Sequence, residues 1–189
     1  MAHNLRPFRQ YSENDVVNLF AYSGTAENGA AGIVATKGLA VKVAVGWTND
    51  ANSNPVELLG SVGASYNNVV SQRYGVKPKV VIAGSGDAVL GITLMDVREL
   101  DENGEKLVFN PRKAAEMGVV VSGQAVPILT NGLVTYSGAS NVAVGHVAFV
   151  SGTAGELAGA ASLPAGYTRV GKFLSNNDAN NTALLKIEL

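Results

Sequence analysis

The sequence predicts an all-β protein, a short-stranded β-barrel or sandwich, and three observations support that class. The chain of 189 residues contains 22 glycines, with Asn and Ser scattered among them. These turn-forming residues separate short apolar segments rich in Val, Ile and Leu, which is the spacing of many short strands. Long stretches with helical periodicity are missing from the sequence. We therefore expect strands joined by turns, with one short helix and an extended N-terminal arm.

The first half of the chain is predicted to hold the arm and then a β module. Residues 1–14 show no periodicity and are predicted to form the extended arm, and residues 15–109 the first β module. A return strand over 106–109 is expected because the Asn-Gly pair at 103–104 is a strong hairpin signal. The other strands are expected over residues 15–22, the second half of 32–46, 79–83 and 89–97.

A short helix is predicted to separate the first module from a second one over residues 119–189. Asn110 can cap this helix, Pro111 suits its first position, and Gly118 can end it, so the connector spans 110–118. Pro127 is expected to confine its strand to a sheet edge, because proline lacks the N–H that a ladder needs. The strand candidates of the second module are 119–121, 125–129, 133–136, 142–150, 169–174 and 183–189.

A weak internal echo suggests that the two modules are related. Gly91-Ile-Thr-Leu-Met-Asp precedes a polar stretch and then Lys106-Leu-Val-Phe. Gly171-Lys-Phe-Leu-Ser-Asn precedes a polar stretch and then Leu184-Leu-Lys-Ile-Glu-Leu. Each half would then end in a glycine-led strand, a polar turn and an apolar strand, as expected of a duplicated unit. Any two hairpins share these features, so coincidence stays open.

The composition argues against several classes of function. With 14 Lys and Arg, 15 Asp and Glu and a net charge of -1, the chain is not expected to bind nucleic acid or an anionic membrane through charge. Cysteine is absent and there are two histidines, so no disulfide framework, metal site or cofactor is expected. Charged residues make up 15%, below the roughly 25% of an average chain, which indicates that part of the surface is covered in an assembly.

Three segments that could carry chemistry are better explained as structure. Gly84-Ser-Gly86 follows a strand, but the third glycine of a dinucleotide fingerprint is replaced by Val89, so a glycine turn is predicted. The acidic residues between 96 and 105 match no calcium-loop spacing and are predicted to form a solvated hairpin tip. His146 alternates with apolar neighbours and is predicted to be a hydrogen-bonded structural histidine. No nucleophile elbow occurs, so no catalytic residue is assigned.

The arm is the segment in which basic and aromatic residues are interleaved. Arg and Tyr are residues that anchor protein interfaces, and the neutral total charge favours a protein partner over nucleic acid. A disordered terminus is the alternative for this segment. The interface residues predicted from the sequence are Arg6, Phe8, Arg9, Tyr11, Leu19 and Phe20.

The chain resembles virion structural proteins of tailed bacteriophages, in particular small head decoration, or cement, proteins. The resemblance rests on Arg6-Pro-Phe-Arg-Gln-Tyr-Ser-Glu-Asn-Asp-Val-Val-Asn-Leu-Phe, Gly91-Ile-Thr-Leu-Met-Asp-Val, Asn110-Pro-Arg-Lys-Ala-Ala-Glu-Met, Gly123-Gln-Ala-Val-Pro, Val170-Gly-Lys-Phe-Leu and Leu184-Leu-Lys-Ile-Glu-Leu. It implies a β-barrel-like, often trimeric protein on the outer capsid, with the major capsid protein as partner and without catalytic residues. Synthesis in the host cytoplasm and residence in the virion follow from it, since no signal peptide or membrane span is seen.

Three other functions stay open on the sequence. The chain could be a tail, baseplate or fibre component, a carbohydrate-binding β module, or a small hydrolase that uses Asp or Glu. For the virion protein, the arm is expected to dock on the capsid. Deleting residues 1–14 is therefore expected to abolish capsid binding and to leave the body folded.

Overall fold

The structure, a computed structural model, describes residues 9–21, 36–43, 80–121 and 124–189 and confirms the predicted all-β class. The strands of the described residues form two large antiparallel sheets and one small parallel pair. Within these residues, neither large sheet closes into a barrel. Apolar side chains of both large sheets belong to one buried cluster, which includes Ile92 and Leu129 of one sheet and Tyr136, Phe173 and Leu185 of the other. The architecture is therefore sandwich-like.

The six-stranded sheet consists almost entirely of the C-terminal third of the chain. Its order is β1-β9-β13-β12-β10-β11, with every pair antiparallel. The seven-residue register between β9 and β13 is the longest ladder of the described chain. The strands are β1 (Arg9–Gln10), β9 (Asn131–Ser137), β10 (Val147–Val150), β11 (Leu157–Ala160), β12 (Arg169–Phe173) and β13 (Thr182–Glu188).

The five-stranded sheet joins strands from distant parts of the sequence in the order β2-β8-β5-β3-β4. The two large sheets are also linked through backbone hydrogen bonds, because the Ala40 N–H donates to the Gly155 carbonyl (2.9 Å) and the Gly155 N–H donates to the Ala83 carbonyl (2.8 Å). The strands are β2 (Val16–Phe20), β3 (Ala40–Val43), β4 (Val80–Ile82), β5 (Gly91–Thr93) and β8 (Ala125–Leu129).

The parallel pair and the helix form a small third unit. Strands β6 (Asp96–Arg98) and β7 (Val119–Val121) pair in parallel, and helix α1 (Pro111–Met117) lies on the connection between them. The helix begins and ends as the sequence predicts: the Asn110 side chain accepts the Lys113 N–H, and Gly118 adopts a left-handed φ of 64°. Short 3-10 turns span Glu13–Asp15 and Leu107–Phe109.

Several predicted strands differ in the structure. The strand predicted over 142–150 shortens to Val147–Val150, and three others differ because of a distant partner strand or the adjoining helix. Residues 89–97 divide into β5 and β6, since the chain leaves the five-stranded sheet after Thr93 to pair with β7. Residues 107–109 form a 3-10 turn, because the segment leads directly into the capped helix. Strand β8 is interior, and its Pro127 carbonyl accepts the Leu94 N–H (2.9 Å) beyond the last residue of β5. The missing N–H of Pro127 therefore falls where that ladder has ended.

The strand pairing crosses the module boundary that the sequence suggested. Strand β2 of the predicted first module pairs along its whole length with β8 of the predicted second module. Of the two echoing segments, only the one formed by β12 and β13 is an antiparallel hairpin. The five-stranded sheet is thus built from both predicted modules, 15–109 and 119–189.

Candidate interaction surfaces

The N-terminal segment is predicted to be an arm, and the part of it that the structure describes, from residue 9, begins with a strand of the fold. Arg6 and Phe8 lie outside the described residues. Arg9 lies opposite Val134 in the β1–β9 ladder, and nothing is described of its side chain. Residues 9 and 10 therefore form a strand of the chain's own six-stranded sheet.

Residues 11–15, which follow this strand, contact the rest of the fold through packing and hydrogen bonds. Tyr11 is half-buried and packs against the main core cluster. The Ser12 hydroxyl accepts the Asn14 N–H at 3.2 Å and so caps the short 3-10 turn. The Asp15 carbonyl accepts both the N–H (2.9 Å) and the hydroxyl (2.8 Å) of Thr130. The segment is held by packing and by hydrogen bonds, which sequence periodicity does not show.

Leu19 and Phe20, the last two residues predicted for the interface, lie in β2. Leu19 is paired with Val126, is half-buried and packs against a second buried apolar cluster, which includes Val41 and Ile128. Phe20 is paired with Ala125, and nothing is described of its side chain. The structure therefore does not gather the six predicted residues into one described surface.

Removing residues 1–14 is expected to destabilise the protein, in contrast to the outcome that the sequence suggested. The deletion takes away β1 and the packing of Tyr11, which together contribute about 2 kcal/mol. At about 2–4 °C per kcal/mol for a chain of this size, the melting temperature should fall by about 4–8 °C. Deleting only residues 1–8 is the control, since it keeps β1 and Tyr11. A melting temperature unchanged by the longer deletion would contradict the packing role.

The acidic segment is an ordered turn built around Asp101, whose carboxylate is fully buried. One of its oxygens accepts the N–H groups of Asn103 and Glu105, each at 2.8 Å. The other forms an ion pair with Lys113 of α1, which also lies 3.3 Å from Glu102. The hydrogen bond from Lys113 holds the pKa of Asp101 below its ordinary value. The prediction of a solvated hairpin tip is wrong for Asp101, whose ion pair with Lys113 holds the turn against the helix.

Beside this turn the structure exposes a large aromatic side chain that the sequence analysis did not single out. Phe109 is 83% exposed, whereas Phe149 and Phe173 are buried. Leu107, two residues earlier, is buried against α1 and β7 and so anchors the 3-10 turn from below. A strand would have turned residues 107 and 109 to the same face, whereas the 3-10 turn directs them apart.

The residues next to Phe109 in the sequence are also exposed, and an exposed aromatic side chain flanked by charged residues is a composition found at protein contact sites. Val108 is 41% exposed, and the side chains of Lys106 and Arg112 are largely open to solvent. We call Lys106, Val108, Phe109 and Arg112 the Phe109 surface. Its backbone is fixed by the Phe109 N–H to Lys106 carbonyl bond and by the Asn110 cap, so the aromatic ring projects from a rigid base.

The other segments that were weighed for chemistry have structural explanations. The Gly84 N–H donates to the Asp87 carboxylate (2.7 Å), which also pairs with Lys42, and strand β5 follows the turn, as predicted. His146 Nδ1 lies 2.9 Å from the Asn141 carbonyl, as expected of a hydrogen-bonded structural histidine. In the described segments, His, Asp and Glu side chains do not gather into a group able to hold a metal ion.

No family model matches the chain, and no curated protein matches its sequence. Within the part of the chain that the structure covers, no helix has the length and apolarity needed to cross a membrane.

Proposed function

We propose that this chain is a non-enzymatic structural protein of a phage virion, which binds the outer surface of the capsid and stabilises the shell. Its partner is the major capsid protein, and it acts as a homo-oligomer, with a trimer favoured by the resemblance. The observation that carries the proposal is the Phe109 surface. A phenylalanine 83% exposed on a buried, helix-capped base has the form of an interface anchor.

The composition supports a covered surface independently of Phe109. Charged residues are 15% of the chain, whereas a free soluble domain has roughly 25%. We attribute the low charge to contacts with other chains, as in a protein that functions within an assembly.

Stabilisation of the shell follows from mass action. A protein that binds the mature shell and not its disassembled subunits stabilises it by about 2.7 kcal/mol per site when its free concentration is 100 times the dissociation constant. Repetition of the contact over a lattice of identical sites adds further stability, because each oligomer binds through several copies. The bound protein performs no bond-making chemistry in this scheme.

Electron microscopy of purified phage particles, labelled with gold-conjugated antibodies against this chain, tests the proposal. We expect label distributed over the heads. Label confined to tails or baseplates would contradict capsid decoration and support a tail component. Particles without label would contradict a virion protein altogether. Heads assembled without the chain are the control for antibody specificity.

A further inference from the structure

The outward side of the six-stranded sheet carries two lysines that stand directly opposite each other. Lys172 of β12 is paired with Lys186 of β13, and both side chains are exposed. The same row continues to Leu133 of β9 on one side and Val147 of β10 on the other. We call Lys172 and Lys186, together with nearby Arg169, the lysine row.

The lysine row has more positive charge than its surroundings neutralise. Like charges directly opposite in neighbouring strands destabilise a sheet. Glu188 lies 2.6 Å from Lys186 and 2.5 Å from Arg169, so one carboxylate serves two cations. Lys186, and more weakly Arg169 and Lys172, lower the pKa of Glu188. Among the described residues, Lys172 has no ion-pair partner of its own.

The opposite charge is concentrated elsewhere on the same chain, at Glu99, Glu102 and Glu105, which we call the acidic turn. Their side chains reach solvent, and Glu102 is 64% exposed. The nearest cations neutralise these carboxylates only in part: Lys106 lies 3.9 Å from Glu99, and Lys113, 3.3 Å from Glu102, is shared with Asp101. Between the lysine row and the acidic turn of one chain, the described residues form no ion pair.

We propose that the lysine row of one copy binds the acidic turn of a second copy. Because the net charge is -1, unneutralised cations of the lysine row on one copy and carboxylates of the acidic turn on another can complement each other, and a strongly charged polymer is a poorer partner. The contact joins two different surfaces, so it is heterologous and closes into a ring when the rotation between copies allows. The inference rests on the homo-oligomer of the proposed function, for which it supplies the contact, and it does not depend on capsid binding.

Sedimentation equilibrium of the purified full-length protein, without capsids, tests the contact by charge reversal. Lys172→Glu with Lys186→Glu is expected to weaken self-association at least about 10-fold, because two negative surfaces then face each other. Glu102→Lys with Glu105→Lys should do the same with two positive surfaces. The variant with all four changes keeps the net charge and restores complementarity, so its association should return towards that of the unmodified protein.

The outcomes separate this contact from a general effect of charge or folding. A monomeric unmodified protein at low ionic strength would overturn the proposal, as would double variants that associate normally or a fourfold variant that stays dissociated. The single change Lys172→Glu tests the lysine pair in a variant that should still fold, since it places a negative charge on β12 opposite Lys186 on β13. We expect it to raise the melting temperature by about 1–4 °C and to weaken association. A lower melting temperature would contradict the unneutralised lysine pair.

Discussion

Replacing Gly171 by alanine is expected to cost about 3 kcal/mol of unfolding free energy, because the added methyl group meets backbone atoms of the neighbouring strand. A Cβ at this position would lie 2.1 Å from the Lys186 carbonyl oxygen and 3.0 Å from the Ile187 Cα. Both atoms belong to the backbone of β13, so neither can turn away as a side chain would. The clash is relieved only by separating β12 from β13.

The position of β13 makes that separation expensive. It is hydrogen-bonded on one side to β12 and on the other to β9, and its inward side chains Leu185 and Ile187 are fully buried. Gly152→Ala is the matched control, because an added Cβ there meets no atom within 4 Å. Urea unfolding of both variants should show a change within about 0.5 kcal/mol for Gly152→Ala. Equal stability of the two variants would contradict the close approach of β12 and β13.

The sequence analysis identified elements whose determinants are local. The helix over 111–117 was predicted because Asn110, Pro111 and Gly118 act within one or two turns of it. The strands near residues 16–20 and 169–173 were predicted from apolar segments between turn residues. In each case the information lies within about ten residues, so reading along the chain is sufficient.

Sheet membership could not be predicted in the same way, because it depends on pairing between distant residues. Strand β2 finds its partner more than a hundred residues later, in β8. Residues 89–97 are predicted as one strand from the sequence, yet the segment contributes to two sheets because β5 and β6 have different partners. Sequence periodicity specifies which side chains share a face and leaves open which strand lies alongside.

The same limit explains why the predicted interface and the Phe109 surface differ. Tyrosine is a residue type that often anchors interfaces, yet Tyr11 packs against the core because the chain crosses from one sheet to the other at that point. Phe109 was assigned to a strand in which it would share the face of Leu107, and the 3-10 turn reverses that relation. A helix cap immediately after an apolar segment was the local signal that could have indicated the turn.

Phe109→Ala is expected to reduce capsid affinity by about 30-fold if the proposed function is correct. Truncating an interface anchor typically costs about 2 kcal/mol or more, which corresponds to that factor. Because Phe109 is 83% exposed in the free protein, its removal should change the unfolding free energy by no more than about 0.5 kcal/mol. Co-sedimentation with purified shells that lack the chain measures the affinity, and thermal unfolding measures the stability.

Val144→Ala is the control variant, because it distinguishes the loss of a specific interface anchor from the general loss of exposed apolar surface. Val144 is 64% exposed, and it lies in the turn before β10, outside the Phe109 surface. Its truncation should leave capsid affinity within about twofold, since energetically neutral residues dominate protein surfaces. A Phe109→Ala protein that binds shells like the unmodified one would remove the Phe109 surface from the interface. If Val144→Ala alone weakened binding, the contact would instead lie at that end of the six-stranded sheet, where β10 begins and β12 ends.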